Sequence, residues 1–272
     1  MQRHSPQELA RLADLHTCAV QAWLSSRAPA AACLDRIGVR ATSTGLPIPL
    51  LNLALSKGYP PGTADEDIGK EIESVKAFFA VRNVPWYWWL APHLSPPHMV
   101  QLLQAHGLAF DRPPLPAMIA HLPSPAIPLP PDIQVWPATT LTDLQVASQI
   151  RHTAFRFPAG VGLDYFQSMA ADWLKGDPAR LFLASFDSSP PAAIGALIMG
   201  NGLPGIYVMA TLPEWSRRGL GKAILTRLLD KAALEGHNLV ALTASRLGYP
   251  LYQQFGFEHV FDYAIYRPDG GR

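Results

Sequence analysis

The chain has 272 residues, 49% of them hydrophobic, with 22 basic against 21 acidic side chains and a formal net charge of +1. That length holds one large or two ordinary domains, and the balanced charge gives no bulk attraction to nucleic acid or an anionic membrane. Two cysteines, Cys18 and Cys33, are too few for a disulfide framework and fit a reduced, cytoplasmic setting. No apolar run approaches the ~20 residues that span a bilayer, and Met1 to Leu15 lacks the apolar core of a signal peptide.

Pro6 to Ser25 reads as a helix, with Leu9, Leu12, Cys18 and Ala19 among its apolar positions. Ile37 to Ser43 and Ile48 to Ser56 read as strands. Glu66 to Arg82 is an amphipathic helix through Ile68, Ile72, Val75 and Phe79. Pro85 to Ala91 is an aromatic strand, and Pro97 to His106 a helix. Prolines then crowd 113–132 and lack ladder donors, so this stretch reads as a polyproline-like connector. Within it, Ala117 to Leu122 forms a short edge strand.

Beyond the connector, Ile133 to Trp136 is a strand, and Leu141 to Ala154 and Tyr165 to Lys175 are helices. Arg180 to Phe186 and Ala192 to Met199 are strands joined by a turn at Asp187-Ser188-Ser189-Pro190-Pro191. Ile206 to Leu212 is the next strand and Gly219 to Glu235 the next helix, with Gly236 placed to end it. Asn238 to Thr243 is a buried-type strand, Tyr249 to Phe255 a short helix, and Phe257 to Tyr266 a last strand. Strands alternating with helices after an antiparallel start indicate a mixed α/β sheet covered on its faces. The halves echo each other: Gln104-Ala105-His106-Gly107-Leu108 follows its strand and helix as Gln254-Phe255-Gly256-Phe257 follows its own. This is a weak repeat of a half-domain.

The chemistry concentrates in Leu212-Pro213-Glu214-Trp215-Ser216-Arg217-Arg218-Gly219-Leu220-Gly221-Lys222-Ala223, a strand-to-helix turn. Free N–H groups and the helix dipole favour an anion at such a point. Three phosphate motifs compete for it. A dinucleotide fingerprint needs a third glycine three residues past the second, where Ile224 stands. A nucleotide-triphosphate loop needs Gly, four residues, then Gly-Lys-Ser/Thr, but Ser216 replaces the first glycine and Ala223 the hydroxyl. An acyl-CoA pyrophosphate loop, with Gln/Arg, two residues, Gly, one residue and Gly/Ala, fits Gly219 and Gly221. An ordinary helix start accounts poorly for Arg217 and Arg218, because cations are unfavourable at a helix N-terminus.

Arg218-Gly219-Leu220-Gly221-Lys222-Ala223, Leu212-Pro213 ahead of it, and Leu251-Tyr252-Gln253-Gln254-Phe255-Gly256-Phe257 downstream resemble the GNAT superfamily of acyl-CoA-dependent N-acyltransferases. The resemblance covers about Ile133 to Pro268. Ser216 departs from it, standing where the family has Gln or Arg. Gly45 to Asn52 and Pro85 to Trp89 resemble a subgroup with a degenerate GNAT-like N-terminal half, here without the glycine turn. The resemblance implies an α/β (α+β) protein of two GNAT-like halves, each a mixed, mostly antiparallel sheet flanked by helices. Residues 1–112 would form the degenerate half, 113–132 a linker or edge segment, and 133–272 the catalytic domain.

It also implies the site. Acetyl-CoA is the cosubstrate and no metal is required. Ala210, Thr211 and Leu212 would bind the pantetheine arm, with backbone groups of Ala210 and Leu212 pairing to it like a strand. Arg217, Arg218, Gly219, Leu220, Gly221 and Lys222 would hold the pyrophosphate. Ser245 occupies the position of a family asparagine that faces pantetheine. Tyr252 matches the tyrosine that protonates the leaving thiolate; the competing reading is a packing tyrosine, with Tyr249 as the neighbouring candidate. No base is readable on Ile206 to Leu212, and His152, Asp164 and Asp172 are candidates by location alone. Trp86, Trp88 and Trp89 either wall an acceptor pocket or belong to the core. The implied acceptor is the primary amine of a small molecule. A non-catalytic acyl-CoA sensor and a protein N-acetyltransferase stand as the other readings.

Overall fold

A computed structural model describes residues 4–187 and 189–270. Ser188, in the middle of the expected turn, and Met1 to Arg3 of the N-terminal segment lie outside the described residues. The chain begins with α1 (Pro6–Ser26), β1 (Ala32–Asp35), β2 (Val39–Ser43) and β3 (Asn52–Ser56). Next come α2 (Asp65–Ala80), β4 (Tyr87–Leu90), α3 (Met99–Ala105) and β5 (Leu108–His121). β6 (Ile133–Pro137), α4 (Leu141–Ala154), α5 (Tyr165–Ser168) and α6 (Ala170–Lys175) follow. Strands β7 (Ala179–Phe186), β8 (Ala193–Gly200) and β9 (Leu203–Thr211) lead to α7 (Leu220–Leu234). β10 (Leu239–Thr243), α8 (Tyr249–Gln254) and β11 (Glu258–Pro268) complete the chain.

Contacts divide the chain into two compact units that are discontinuous in sequence. A C-terminal unit comprises Met1–Val20 and Ala117–Val260, and an N-terminal unit Gln21–Pro116 and Phe261–Arg272. The contiguous division at 112 and 133 differs from this for three physical reasons. The first half of α1 is pinned to the C-terminal unit by His16, whose Nδ1 faces the carbonyls of Gly200 and Leu203 at 3.1 and 2.9 Å. The second half of β5 pairs antiparallel with β10, from His121 opposite Leu239 to Ala117 opposite Thr243. The second half of β11 pairs antiparallel with β4, with Ile265 opposite Trp89.

The proline-rich segment is therefore no mere connector. β5 runs through Pro113, Pro114 and Pro116, and Ala117, Met118, Ile119 and Ala120 beyond them are at most 2% exposed. These four residues pair with β10 at the edge of the C-terminal unit's sheet and are buried there. The stripe that α1 buries also differs from expectation: Ala13, His16, Thr17 and Val20 face inward, while Leu9 and Leu12 are half-buried. The helix expected over Tyr165 to Lys175 breaks at Met169, where φ is −113°.

In the C-terminal unit the strand order is β5-β10-β9-β8-β7-β6, antiparallel except for β10 with β9. Ile224, Leu225, Leu228 and Leu229 of α7 pack on Leu197, Ile206, Val240 and Leu242. The helix period at Leu220, Ile224 and Leu228 supplies that face. In the N-terminal unit the order is β1-β2-β3-β4-β11. Ile68, Ile72, Val75 and Phe79 of α2 pack on Val39, Ala41, Ala54 and Trp88. Trp86, Trp88 and Trp89 are at most 5% exposed. Trp86 stacks on Phe79 at 4.6 Å and Trp88 donates to Ser56 Oγ, so the aromatic strand is core rather than the wall of an acceptor pocket.

Candidate functional site

β9 and β10 run parallel, and ligands of parallel strands bind beyond their carboxyl ends. The two strands touch in register at one point, Gly205 opposite Ala241. β9 continues to Thr211 and β10 to Thr243, so the strands diverge toward those ends and leave a wedge. A β-bulge drives the divergence. Ile194 of β8 lies opposite Ala210 and Ala196 opposite Tyr207, so Val208 and Met209 together face Gly195. Val208 takes a left-handed φ of 54°, costly for a β-branched residue, and the extra residue bends the strand.

The corresponding parallel pair in the N-terminal unit is closed. β3 and β4 pair at three successive positions, Leu53–Tyr87, Ala54–Trp88 and Leu55–Trp89. The turn after β3 is occupied by its own side chains. Lys57 Nζ reaches Asp35 Oδ1 at 2.5 Å and the Arg36 carbonyl at 2.6 Å. The Tyr59 ring fills the space where Gly38 would carry a side chain.

At the mouth of the open wedge stands the glycine turn. Pro213–Trp215 form a single 3-10 turn and Arg217 adopts φ 59°. Gly219 opens α7 at φ 101°, and a Cβ there would lie 3.0 Å from Pro130 and 3.2 Å from Ile133. Only glycine takes that φ without strain. The first helical bond of α7 is Ala223 N–H to the Gly219 carbonyl. Among the described residues, the backbone N–H groups from Arg217 to Lys222 have no hydrogen-bond partner. A Cβ on Gly221 would touch nothing closer than Leu251 at 3.8 Å and Thr211 at 3.9 Å. That open space, floored by unpaired donors at a helix N-terminus, fits a phosphate.

The expected site residues take different parts. Arg218 lies against aromatic rings, its guanidinium carbon 4.7 Å from the Phe186 centroid and 4.6 Å from that of Trp215. Those rings are themselves stacked at 5.6 Å. Trp215 and Phe186 thus hold the cation beside the turn, a support that sequence reading missed. Arg217 is exposed and Lys222 half-buried, while Leu220 is buried in the core. The Leu212 backbone is committed elsewhere. Its N–H donates to the Ala192 carbonyl, and its own carbonyl accepts from Trp215 N–H and Ser216 Oγ. That corrects the expected strand-like pairing through Leu212. Ala210, opposite Ile194, turns to β8 as well, and alternation directs Thr211 to the wedge. Ser216, in place of the usual longer side chain, braces the turn from within.

Ser245 also acts locally. Its Oγ accepts from Gly248 N–H at 3.1 Å and its carbonyl from Tyr249 N–H at 2.9 Å, fixing the turn into α8. Tyr252 on α8 is 8% exposed and packs edge-to-face on Phe257 at 5.7 Å. Burial pushes its pKa up to about 12, so the phenol stays protonated at neutral pH and can only be a donor or a neutral acceptor. Tyr249 is half-buried beside it.

None of the three base candidates has a distinctive setting. His152 Nε2 pairs with the Pro158 carbonyl, Asp164 is exposed ahead of α5, and Asp172 is half-buried in α6. A feature absent from the sequence reading is Arg151, 5% exposed, with the Tyr165 ring centroid 4.2 Å and the Phe157 centroid 4.9 Å from its guanidinium carbon. Among the described residues no helix is long and apolar enough to cross a membrane, and no group of His, Cys, Asp or Glu could hold a metal ion.

Residues 201–260 match the model of an acetyltransferase (GNAT) domain, a span that contains β9, the glycine turn, α7, β10 and α8. A GCN5-related N-acetyltransferase from Kribbella flavida superposes with a TM-score of 0.70 at 19% identity, over 96% of each chain. A second GCN5-related N-acetyltransferase, from Sphaerobacter thermophilus, gives 0.67 at 17% identity, over 98% of this chain and 94% of its own. A tandem GNAT protein from the clavulanic acid biosynthesis pathway gives 0.62 at 16% identity, over 98% and 95%. No curated protein matches the chain. The chain has the mixed α/β fold seen in GCN5-related N-acetyltransferases, one of the tandem type among them, and its residues 201–260 match an acetyltransferase (GNAT) domain model.

Proposed function

We propose that the C-terminal unit binds acetyl-CoA in the wedge between β9 and β10 and catalyses acetyl transfer to the primary amine of a small molecule. The observation that carries this reading is the wedge opening beside unpaired N–H groups at the start of α7. Thr211 directs its backbone to the pantetheine arm. The N–H groups of Arg217 to Lys222 cradle the pyrophosphate, and Arg218, held on Trp215 and Phe186, adds positive charge beside it. Bound there, acetyl-CoA supplies an activated acetyl group on a thiol leaving group. Gly221 permits close approach, and the wedge orients the thioester, a contribution worth up to ~7–11 kcal/mol of barrier. Tyr252 holds a proton for the departing sulfur, a role that fits a phenol kept neutral by burial. Ser245 positions α8, and therefore Tyr252, through its turn. The near-neutral chain favours a small acceptor over a highly charged protein segment.

The test is release of free CoA thiol from acetyl-CoA in the presence of an amine library. Acceptor-dependent release is expected, and Tyr252→Phe should lower kcat by roughly 10²-fold or more while leaving the acetyl-CoA Kd nearly unchanged. Acetyl-CoA binding without thiol release for any amine would establish a binding module instead. Unchanged turnover in Tyr252→Phe would remove the tyrosine from the chemistry.

A further inference from the structure

Arg151 is a cation of the C-terminal unit buried without a counter-charge. α4 packs on β8 and on β9, the strand that edges the wedge. Its buried residues include Leu144, Ala147, Ser148 and Arg151, a helical spacing that marks the inward stripe. An arginine in the last turn of that stripe, 5% exposed, stands where an apolar side chain is expected.

Among the described residues the guanidinium makes neither an ion pair nor a hydrogen bond. Its surroundings are rings: the centroids of Tyr165, Phe157 and Phe166 lie 4.2, 4.9 and 5.7 Å from its central carbon. Ring faces favour the charge, but they give its N–H donors no lone pair to meet. A buried donor without an acceptor carries an uncompensated desolvation cost. Nη1 is sealed from solvent in this condition; Nε and Nη2, equally without partners, keep access to solvent. The Nε–Nη2 edge is the fork that a carboxylate meets with two parallel hydrogen bonds.

The segment beside this edge suits a small ligand. Residues 155–164 join α4 to α5, with Gly160 and Gly162 at φ 75° and 69°, and a Cβ at Gly160 would meet nothing within 4 Å. Such a loosely packed glycine segment can yield to an entering molecule. Phe155 is 43% exposed and packs on Phe157 at 5.7 Å, so apolar surface runs from the solvent to the cage. An anionic group next to an apolar body matches both features.

We propose that Arg151 selects the acceptor: the amine that is acetylated carries a carboxylate, as an amino acid does, and that carboxylate pairs with the Nε–Nη2 edge. This rests on acetyl transfer at the wedge. There the amine nitrogen bonds the acetyl carbon and the carbon–sulfur bond breaks; the sulfur takes up one proton and the nitrogen releases one. Arg151 acts on binding and orientation, away from the reacting atoms.

Matched amines test this on the full-length protein: phenylalanine with phenylalaninamide and phenethylamine, leucine with leucinamide, and β-alanine with β-alaninamide. Thiol release from acetyl-CoA and saturation-transfer NMR binding with CoA present are both measured. In at least one set the acid should exceed its amide by roughly 10–100-fold in kcat/KM. Arg151→Gln should erase that preference through a raised KM, and Arg151→Lys should retain part of it, a point charge replacing the fork. In protein labelled with nitrogen-15 arginine, an Nε–H resonance should shift on adding the acid and not the amide, a readout that needs no variant. If Arg151 only props α4, both variants lower turnover of acid and amide alike and leave their ratio unchanged; that result overturns the proposal. Equal binding of acid and amide by the wild-type protein, or the absence of any Nε–H shift, overturns it as well. Selective carboxylate binding with thiol release from no amine would refute acetyl transfer and leave the Arg151 contact standing, so the two readings fail separately.

Discussion

The His16 imidazole is a titratable group enclosed by backbone. Its Nδ1 faces two carbonyl oxygens, which can only accept, so the proton sits on Nδ1 and Nε2 carries a lone pair. Nε2 is buried without a partner, and the ring packs on Gly205, where any side chain would collide with it. Burial pulls the pKa down from 6.5 to about 4, more than the two carbonyl contacts raise it. A depressed histidine pKa means that the folded state resists protonation. Full stability therefore holds above the unfolded value near 6.5 and is lost as pH falls toward 4, a change of about 3 kcal/mol. Urea unfolding between pH 7.5 and 4.5 should show this decline, and His16→Gln, less stable at pH 7.5, should show a shallower one. Parallel declines in both proteins would assign the acid sensitivity to carboxylates instead. The residue was visible in the sequence as an in-phase partner of Ala13 and Val20. A helix reading that follows apolar residues passes over it, because histidine in such a stripe does not announce burial.

At the scale of elements, α7 and its glycine turn were legible because their signals are local: a 3.6-residue period and glycines at a fixed spacing. What was not legible was set by contacts distant in sequence. β1 is four residues of alternating burial with no hydrophobic run. The start of β9 contains Pro204 and Gly205, which read as breakers until His16 explains the glycine. The bulge that opens the wedge centres on Val208, a residue whose propensity is for regular strand. Ser245 and Leu212 were assigned by position in a motif, whereas Ser245 bonds within a turn and Leu212 divides its backbone between Ala192 and the 3-10 turn. The contrast between the open β9–β10 pair and the closed β3–β4 pair makes a specific expectation. Calorimetric titration with acetyl-CoA should give one site per chain. Hydrogen exchange in the complex should slow at Thr211 and at Arg217 to Lys222, and stay unchanged at Leu53 to Leu55, whose ladder is already closed. Two sites per chain, or protection at Leu53 to Leu55, would contradict the closed-pair argument.

For the whole molecule, the decisive fact is that the chain passes between its two compact units three times, at Val20, at Pro116 and at Val260. A contiguous fragment of residues 133–272 looks like a complete domain by sequence. It would nevertheless lack residues 117–121, the strand that covers the outer edge of β10. Val240, Ala241 and Leu242, each at most 1% exposed in the intact chain, would then border an unpaired strand edge. Such an edge is a template for association with other chains. The same fragment keeps residues 261–268 while losing β4, their partner, and so carries a second unpaired strand. A fragment of residues 113–260 restores the first strand and omits the second, although it lacks the α1 segment that His16 anchors. Size-exclusion chromatography and amide NMR dispersion should therefore show 133–272 aggregated or poorly dispersed, and 113–260 less aggregated and better dispersed despite its missing helix. A monomeric, well-dispersed 133–272 fragment that binds acetyl-CoA would mean that the strand at 117–121 is dispensable, and that the unit is contiguous after all.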